Sequence, residues 1–441
     1  MRKLIETLKN IFKIEDLRQR ILYTLGILVV YRLGSFVVLP GINPTQLGAL
    51  QKQTEDGVMG LLDMFSGGAF SHASIFALGI MPYISASIVV QLLGMAIPYF
   101  QRLQKEGESG HRKINQITRY LTVLILALQA PGYLINLHHQ LPESAFALQG
   151  LFFTVMSTII LIGGTMFVMW LGERITEKGI GNGISLIIMI GIIARLPFAL
   201  AAEFFSRAEE MAGGLVMFLV EMVLLFVVFM FSILLVQGTR RIPVQYAKRI
   251  VGNRQYGGVR QYIPLKVNAA GVMPIIFAQA LMILPVMFVR YQADSATGIV
   301  AAFSDITGFW YNFTLAILIV IFTYFYTAIT INPNQMAEDM KRNGGFIPGV
   351  KPGRKTVEFL YEITSKITLP GALFLALIAI LPSFAVIFNV NTQFAQFYGG
   401  TSLLILVGVV LDTLQQIESH LLMRHYDGLM KTGRIKGKSG Y

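Results

Sequence analysis

Residues 74–93 read SIFALGIMPYISASIVVQLL, a stretch that is long and apolar enough to cross a lipid bilayer. It nevertheless contains three serines, a glutamine, a glycine and a proline, which a helix that only anchors a protein in lipid does not need. Ile80, Ile84 and Ile88 are four residues apart and therefore share one face of a helix. The stretch predicts a membrane span that does more than hold the chain in lipid.

The composition places the whole chain in the membrane class. Of its 441 residues, 54% are hydrophobic and 14% are charged, whereas soluble proteins carry about 25% charged residues. The mean hydropathy is +0.62, and apolar runs of about 20 residues recur along the chain. The sequence therefore predicts an all-α polytopic membrane protein. It contains no cysteine, which excludes disulfides and thiolate metal sites.

The distribution of basic residues predicts the orientation of these runs. Most of the 36 Lys and Arg residues lie near the two termini or in alternate loops, and the opposite loops hold only Lys52, Arg207 and Arg290. Cytoplasmic loops are the ones enriched in Lys and Arg, so both termini are predicted to be cytoplasmic. The hydropathy pattern predicts ten spans, at residues 21–39, 74–97, 117–137, 151–171, 183–204, 212–237, 271–289, 309–331, 368–390 and 400–421.

Ten spans divide into two halves of five, at residues 21–204 and 212–421. Because each half has an odd number of spans, the second half enters the membrane in the opposite sense to the first. This count predicts an inverted repeat. Residues 1–20 are predicted to form an amphipathic cytoplasmic segment, and residues 422–441 a basic cytoplasmic tail.

Glu221 is the one acidic residue predicted to lie well inside a span. It is either an ion or proton site, or a paired residue that faces the helix bundle or another subunit. No constellation of residues predicts a catalytic site, a metal site or a cofactor site, so we expect a non-enzymatic protein whose energy comes from a partner.

Two long loops, at residues 238–270 and 332–367, are more basic than the orientation of the spans requires. Apolar residues alternate with other residues around Val244, glycines follow, and residues 259–267 again have extended character. This pattern predicts a protruding β-hairpin in the first loop. We expect both loops to form a docking surface for an acidic or phosphate-rich partner.

Residues 58–71 are apolar but too short to span the membrane. Backbone of this kind at membrane depth must be buried in protein or line a cavity. With Gly67 and Gly68 as a hinge, the segment is predicted to be a movable stopper beside a pore helix; the alternative is a helix on the outer surface.

Several strings resemble the SecY family of protein-conducting channels. They are MFSGG at 64–68, the stretch from residue 74, ITEKGIGNGIS at 175–185, RRIPVQYAKR at 240–249 and GGTSLLI at 399–405. The resemblance covers nearly the whole chain. It implies two five-helix halves around an hourglass pore, a plug, a lateral gate to membrane lipid, the small subunits SecE and SecG, and drive from the motor SecA or the ribosome.

The resemblance also assigns residues to these parts. It implies a pore ring of Ile80, Ile84, Ile188, Ile276 and Ile405, and a plug around Met64, Phe65, Ser66, Gly67 and Gly68. It implies a gate between the second and third spans on one side and the seventh and eighth on the other. We expect Ser85, Ser87 and Gln91 to line this gate through weak polar contacts to neighbouring helices, with Gly79 and Pro82 softening the helix.

The docking cations implied are Arg240, Arg241, Lys248, Arg249, Lys351 and Arg354. One departure from the family pattern lies here, because Lys351-Pro352-Gly353 stands where the family usually has Arg-Pro-Gly. Lysine keeps the charge but lacks the planar fork of arginine, so either Lys351 or Arg354 takes that role.

The resemblance implies a pore-forming subunit of the Sec translocon in the bacterial inner membrane, which moves unfolded polypeptides across and releases hydrophobic segments sideways into lipid. The subunit would move polypeptides that carry a signal sequence. The alternative is a small-solute secondary transporter with inverted repeats, which would need a buried site of convergent charged groups.

Overall fold

The computed structural model describes residues 14–48, 58–148, 150–209, 214–246, 249–251, 254–256, 260–279, 281–282 and 307–431. The elements up to the middle of the chain are helices α1 Glu15–Gly34, α2 Val58–Phe65, α3 Met81–Ala96, α4 Pro98–Lys105, α5 Glu108–Gln140, α6 Leu151–Lys178, α7 Gly183–Glu209 and α8 Gly214–Gln237. Single 3-10 turns lie at Pro44–Gln46 and Glu143–Ala145.

The later elements include a small sheet. They are β1 Thr239–Tyr246, β2 Arg249–Val251, β3 Arg254–Tyr256, β4 Arg260–Lys266, α9 Phe309–Thr330, α10 Pro333–Arg342, β5 Gly345–Phe346, α11 Arg354–Ile387, α12 Thr392–Ala395 and α13 Gly400–Lys431, with a 3-10 turn at Gln396–Tyr398. The chain divides into two compact units, Met1–Phe198 with Val409–Tyr441, and Ala199–Gly408.

Seven helices of the described residues are long and apolar enough to cross a membrane, or eight if α3 and α4 are taken as one bent span. The first predicted span forms α1. Only residues 273–279 and 281–282 of the seventh predicted span are described as helix, and its remainder lies outside the described residues. The prediction of a polytopic α-helical membrane protein is confirmed.

The second span differs from its prediction. Residues 74–80 are not helical, because Ser74 forms an antiparallel bridge with Val38 and Ile75 N–H bonds the Val37 carbonyl at 2.9 Å. A turn follows at Gly79, whose φ of +55° favours glycine. The helix then begins at Met81 and is 16 residues long.

Two prolines set the limits of α3. Pro82 lies in its first turn, where a missing N–H costs nothing, so the expectation that Pro82 softens this helix is wrong. Pro98 holds Ile97 in an extended conformation (φ −110°, ψ 121°), which ends α3 before α4 begins.

Other helices run beyond the apolar residues that predicted them. Helix α5 begins at Glu108, α6 continues to Lys178, and α11 begins at Arg354, so parts of the predicted loops are helical. Charged side chains one turn apart favour these extensions, as in the pairs Arg112–Glu108 at 2.6 Å and Lys366–Glu362 at 2.6 Å. The apolar run therefore predicts the membrane-crossing part of each helix, but not the residues at which the helix begins and ends.

The hairpin predicted in the first long loop is confirmed. Strands β1 and β4 pair antiparallel from Thr239 opposite Lys266 to Gln245 opposite Arg260, and β2 pairs with β3. The second long loop joins the same sheet, because β5 pairs with the end of β1. One apolar core unites strands, α10 and α11, with Ile242, Val244, Leu265, Ala337, Met340, Ile347 and Leu360 buried. The described residues of 238–270 and 332–367 are therefore joined by one sheet and one core, and these two loops are here called the loop domain.

Candidate functional site

Residues 63–71 of the segment 58–71 are buried inside the first unit. Helix α2 ends at Phe65, and the side chains of Asp63, Met64, Phe65 and Ser66 are all at most 5% exposed. A helix on an outer surface would leave one face open to its surroundings. Burial on this scale supports a segment enclosed by protein, as irregular backbone at membrane depth requires.

The two glycines after α2 form a closed turn. Gly67 and Gly68 have φ of +65° and +92°, and their N–H groups bond the carbonyls of Met64 at 3.1 Å and Asp63 at 2.9 Å. Ser66 Oγ donates to the Asp63 carbonyl at 3.0 Å and accepts from Phe70 N–H at 3.1 Å. The sequence predicted a loose hinge here, and the structure instead shows a turn with its own hydrogen bonds.

Helix α7 approaches this turn backbone to backbone. A Cβ added to Gly67 would lie 2.7 Å from the Gly191 Cα, so there is no room for a side chain at position 67. The positive φ of Gly67 also disfavours any other residue there. The close contact brings the turn against the face of α7 on which Arg195 follows Gly191 by one turn.

Three side chains from α1 and α7 bind the turn. Tyr31 Oη donates to the Ser66 carbonyl at 3.2 Å, and an Arg32 N–H donates to the Gly67 carbonyl at 2.7 Å. Arg195 forms an ion pair with the buried Asp63 carboxylate and donates to Ser71 Oγ at 3.0 Å. Neither Asp63 nor Arg195 is among the site residues predicted from the sequence. The signals that could have found them are the charge of Arg195 within an apolar span and the charge of Asp63 within an apolar segment.

Four of the five isoleucines of the proposed pore ring are buried, and the fifth is half-buried. In the first unit, Ile80 immediately precedes α3, Ile84 lies on α3 and Ile188 on α7, and all three are at most 9% exposed. In the second unit, Ile405 on α13 is 4% exposed, and Ile276 lies in the helical residues 273–279 and is half-buried. An Ile84 N–H bonds the Ile80 carbonyl at 3.1 Å, so these two residues are one turn apart.

The polar residues assigned to the gate lie on α3, which packs against α5. Ser85, Ser87 and Gln91 are half-buried. Gln91 Nε2 donates to Ser87 Oγ at 3.5 Å, so this polar contact lies within α3. Helices α3 and α5, which correspond to the second and third predicted spans, pack against each other in the first unit, but the described polar contact does not join them.

Four of the predicted docking cations are exposed on the described part of the loop domain. Arg240 and Arg241 are exposed on β1, while Ile242 and Val244 of the same strand face the apolar core. Arg249 belongs to strand β2, and Lys248 lies outside the described residues. Lys351 and Arg354 are exposed at the start of α11, where the Thr356 hydroxyl donates to the Lys351 carbonyl at 3.0 Å.

Lys351 and Arg354 differ in their neighbours. Glu358 accepts a hydrogen bond from Lys355 Nζ at 3.0 Å, which lowers the pKa of its carboxyl, and Arg354 Nε lies 3.5 Å from the same carboxylate. Lys351 has no ion-pair partner among the residues that the structure describes. The charge of Lys351 is therefore the less compensated of the two.

Glu221 belongs to a buried cluster of charges in the second unit. Arg207 bonds the carboxylate oxygens of Glu203 at 2.9 Å and Glu221 at 2.8 Å, and each of the three side chains is at most 7% exposed. Arg207 also donates to the Asn389 carbonyl at 2.8 Å, and Tyr398 Oη donates to the Glu221 carbonyl at 2.7 Å. The structure supports the paired interpretation of Glu221.

A family model and bacterial relatives match most of this chain. The SecY family model matches residues 74–414. The chain is 44% identical to the protein translocase subunit SecY of Streptomyces coelicolor, over 95% of this chain and 98% of that protein. It is 41% identical to the same subunit of Aquifex aeolicus, over 97% of this chain and 99% of the relative.

Solved structures share the fold. The structure described as a protein conducting channel has a TM-score of 0.61 and 18% identity, covering 91% of this chain and 92% of that one. Sec61 in the canine ribosome–channel complex has a TM-score of 0.58 and 16% identity, with the same two coverages.

Proposed function

Because the chain belongs to the SecY family, it is a pore-forming subunit of a protein-conducting membrane channel. We propose that it moves unfolded polypeptides across the membrane and releases their hydrophobic segments sideways into lipid. The channel is not an enzyme, and its drive comes from a partner that pushes the polypeptide.

The observation that carries the proposal is the burial of residues 63–71. The segment is too short to span a membrane, yet Asp63 to Ser66 lie inside the first unit against α1 and α7. A channel wide enough for a polypeptide needs a removable stopper, and an enclosed short helix next to the second span suits that task. Met64, Phe65, Ser66, Gly67 and Gly68 form the centre of this plug.

The seal around a moving polypeptide is the proposed pore ring of isoleucines. A narrow apolar neck loses its water, and ions cannot cross it without hydration. Isoleucine suits the neck because it is bulky, carries no polar atom and has few rotamers in a helix. Ile80, Ile84, Ile188, Ile276 and Ile405 are the members.

The lateral gate is proposed to open along α3, where Ser85, Ser87 and Gln91 lie. When the gate is closed, these side chains are proposed to bond to neighbouring helices, where such hydrogen bonds contribute about 0.6–2 kcal/mol each. A seam of that strength stays closed at rest and is released when a hydrophobic segment binds.

The loop domain is the proposed docking surface for SecA and for the ribosome. Its exposed cations on β1 and at the start of α11 suit acidic surfaces and RNA phosphates. The relative described in a ribosome–channel complex supports a ribosome partner for this chain. SecE and SecG are the proposed membrane subunits, and the membrane is the bacterial inner membrane with both termini cytoplasmic.

Reconstitution tests this function. The protein is placed in liposomes with SecE and SecG, and SecA, ATP and a radiolabelled polypeptide with a signal sequence are added. Protease-protected polypeptide inside the vesicles is the expected result. Saturable uptake of a small solute by the protein alone, without protected polypeptide, would instead support the secondary transporter.

A further inference from the structure

The contacts that hold the plug differ in kind. Tyr31 and Arg32 bond backbone carbonyls, of Ser66 and Gly67, so these bonds do not depend on which side chains the plug carries. The contact between Asp63 and Arg195 joins two charged side chains. The strength of this contact therefore depends on which side chain the plug carries at position 63.

Asp63 is placed so that it needs this partner. Its side chain is 1% exposed, whereas that of Arg195 is 27% exposed. One carboxylate oxygen, Oδ1, accepts the Ser71 N–H at 2.8 Å, and the other, Oδ2, faces the guanidinium. A buried carboxylate without a countercharge is unfavourable, so withdrawal of the plug from Arg195 has to expose or neutralise Asp63.

Arg195 contacts both ends of the segment 63–71. Besides its ion pair with Asp63 at the end of α2, it donates to the hydroxyl of Ser71, eight residues further on. The turn between these two residues includes Gly67, which rests against Gly191 of the same helix. One guanidinium thus holds the closed shape of residues 63–71 and their contact with α7.

Helix α7 connects this contact to the proposed pore ring. Ile188, Gly191 and Arg195 are spaced three and four residues apart and share one face of α7. Along this face, Ile188 belongs to the proposed pore ring, Gly191 contacts the turn at Gly67, and Arg195 binds Asp63. Holding the plug and lining the neck are therefore tasks of one helical face.

We propose that the ion pair of Asp63 and Arg195 is a latch that sets how readily the plug leaves, and thereby which polypeptides open the channel. The proposal rests on the proposed function of residues 58–71 as a plug. A polypeptide with a strongly hydrophobic signal sequence releases the latch, and a polypeptide with a weak one does not. Asp63 and Arg195 act as positioning residues of the plug.

The test uses the absence of cysteine in the chain. A single cysteine, Met64→Cys, reports on the plug, because Met64 is 3% exposed and its labelling by a membrane-impermeant maleimide requires the plug to move. The complex with SecE and SecG is reconstituted, and the labelling rate is measured at rest and with a polypeptide jammed in the channel. Ion conductance in planar bilayers and translocation of a substrate with a defective signal sequence are the two further readouts.

Asp63→Asn and Arg195→Gln should each raise the resting labelling rate, the ion leak and the defective-signal translocation about tenfold. The double variant should be no more open than either single variant, because both remove one interaction. Arg195→Lys keeps the charge that faces Asp63 but loses the planar fork, so it should open the channel less than Arg195→Gln does. Arg32→Gln is the matched control, and its effect should multiply with that of Asp63→Asn.

The outcomes separate the latch from the plug. If the jammed polypeptide does not raise labelling of Met64→Cys, the segment is not a plug. If it does, but the Asp63 and Arg195 variants label and conduct like the unmodified channel, the plug stands and the latch is wrong. Multiplied effects of Asp63→Asn and Arg195→Gln would also overturn the latch. Recovery of each variant with SecE and SecG in normal yield shows that folding is intact.

Discussion

Tyr133 Oη donates a hydrogen bond of 3.0 Å to the carbonyl of Phe70, and the two rings lie 4.8 Å apart. This pair attaches the chain that follows the plug to helix α5. Both residues belong to one apolar core of the first unit, together with Leu39, Ala73 and Phe153. We therefore expect Phe70 to stay attached to α5 if the proposed plug moves, so that the larger displacement is that of the residues before it.

Tyr133→Phe should destabilise the first unit without opening the channel. The Phe70 carbonyl accepts from Tyr133 Oη and also from the Ala73 N–H at 3.2 Å, so the substitution removes one of its two donors. Loss of this buried hydrogen bond should lower the free energy of unfolding by about 0.5–1.5 kcal/mol. Denaturant titration in detergent measures the loss. Tyr120→Phe on the same helix is the control, because Tyr120 is 76% exposed and should change little. A raised ion leak for Tyr133→Phe would contradict the separation of anchor and plug.

Ile84→Asn and Ile405→Asn should increase the resting ion conductance of planar bilayers. Each isoleucine contributes roughly 1.5–3 kcal/mol through burial, and an amide in the neck attracts water. Ile378→Asn is the matched control, since Ile378 is 3% exposed and lies on α11 outside the proposed ring. Equal conductance of all three variants would show that the ring is assigned to the wrong residues.

Arg249→Glu combined with Lys351→Glu should weaken binding of SecA and of ribosomes. Reversal of two charges on a cationic surface should lower the affinity about tenfold at low salt and flatten its salt dependence. Equilibrium binding to the reconstituted channel at several salt concentrations provides the measurement. Arg112→Glu, an exposed cation outside the loop domain, is the control. Unchanged affinity of the double variant at low salt would rule out this docking surface.

Lys351→Gln should weaken the same binding more than Arg354→Gln. The Arg354 charge is partly compensated by Glu358, which lies 3.5 Å away, and Lys351 has no such neighbour among the described residues. The binding assay with single variants ranks the two residues. A larger loss for Arg354→Gln would assign the role of the usual family arginine to Arg354.

Arg207→Met should lower the free energy of unfolding by about 3–5 kcal/mol, because it leaves the Glu203 and Glu221 carboxylates buried together without a cation. Arg174→Met removes the exposed pair with Glu177 and should cost about 0–1 kcal/mol. Denaturant titration in detergent compares them. Similar losses for the two variants would mean that the buried cluster contributes no more than a surface ion pair.

The sequence alone determined the features that depend on neighbouring residues. Apolar runs predicted the membrane class, and alternation around Val244 predicted the hairpin of β1 and β4. Long motifs predicted the family, which the comparisons confirm. Such signals are local, because lipid solvation and strand alternation act on consecutive residues.

Only the tertiary structure decided which distant residues meet. The start of α3 at Met81 follows from the bridge between Ser74 and Val38, and the addition of β5 to the hairpin joins the two long loops. The ion pair of Asp63 and Arg195 joins residues that are far apart along the chain. A buried charge is stable only where the chain path brings its counterion to it, and hydropathy contains no record of that path.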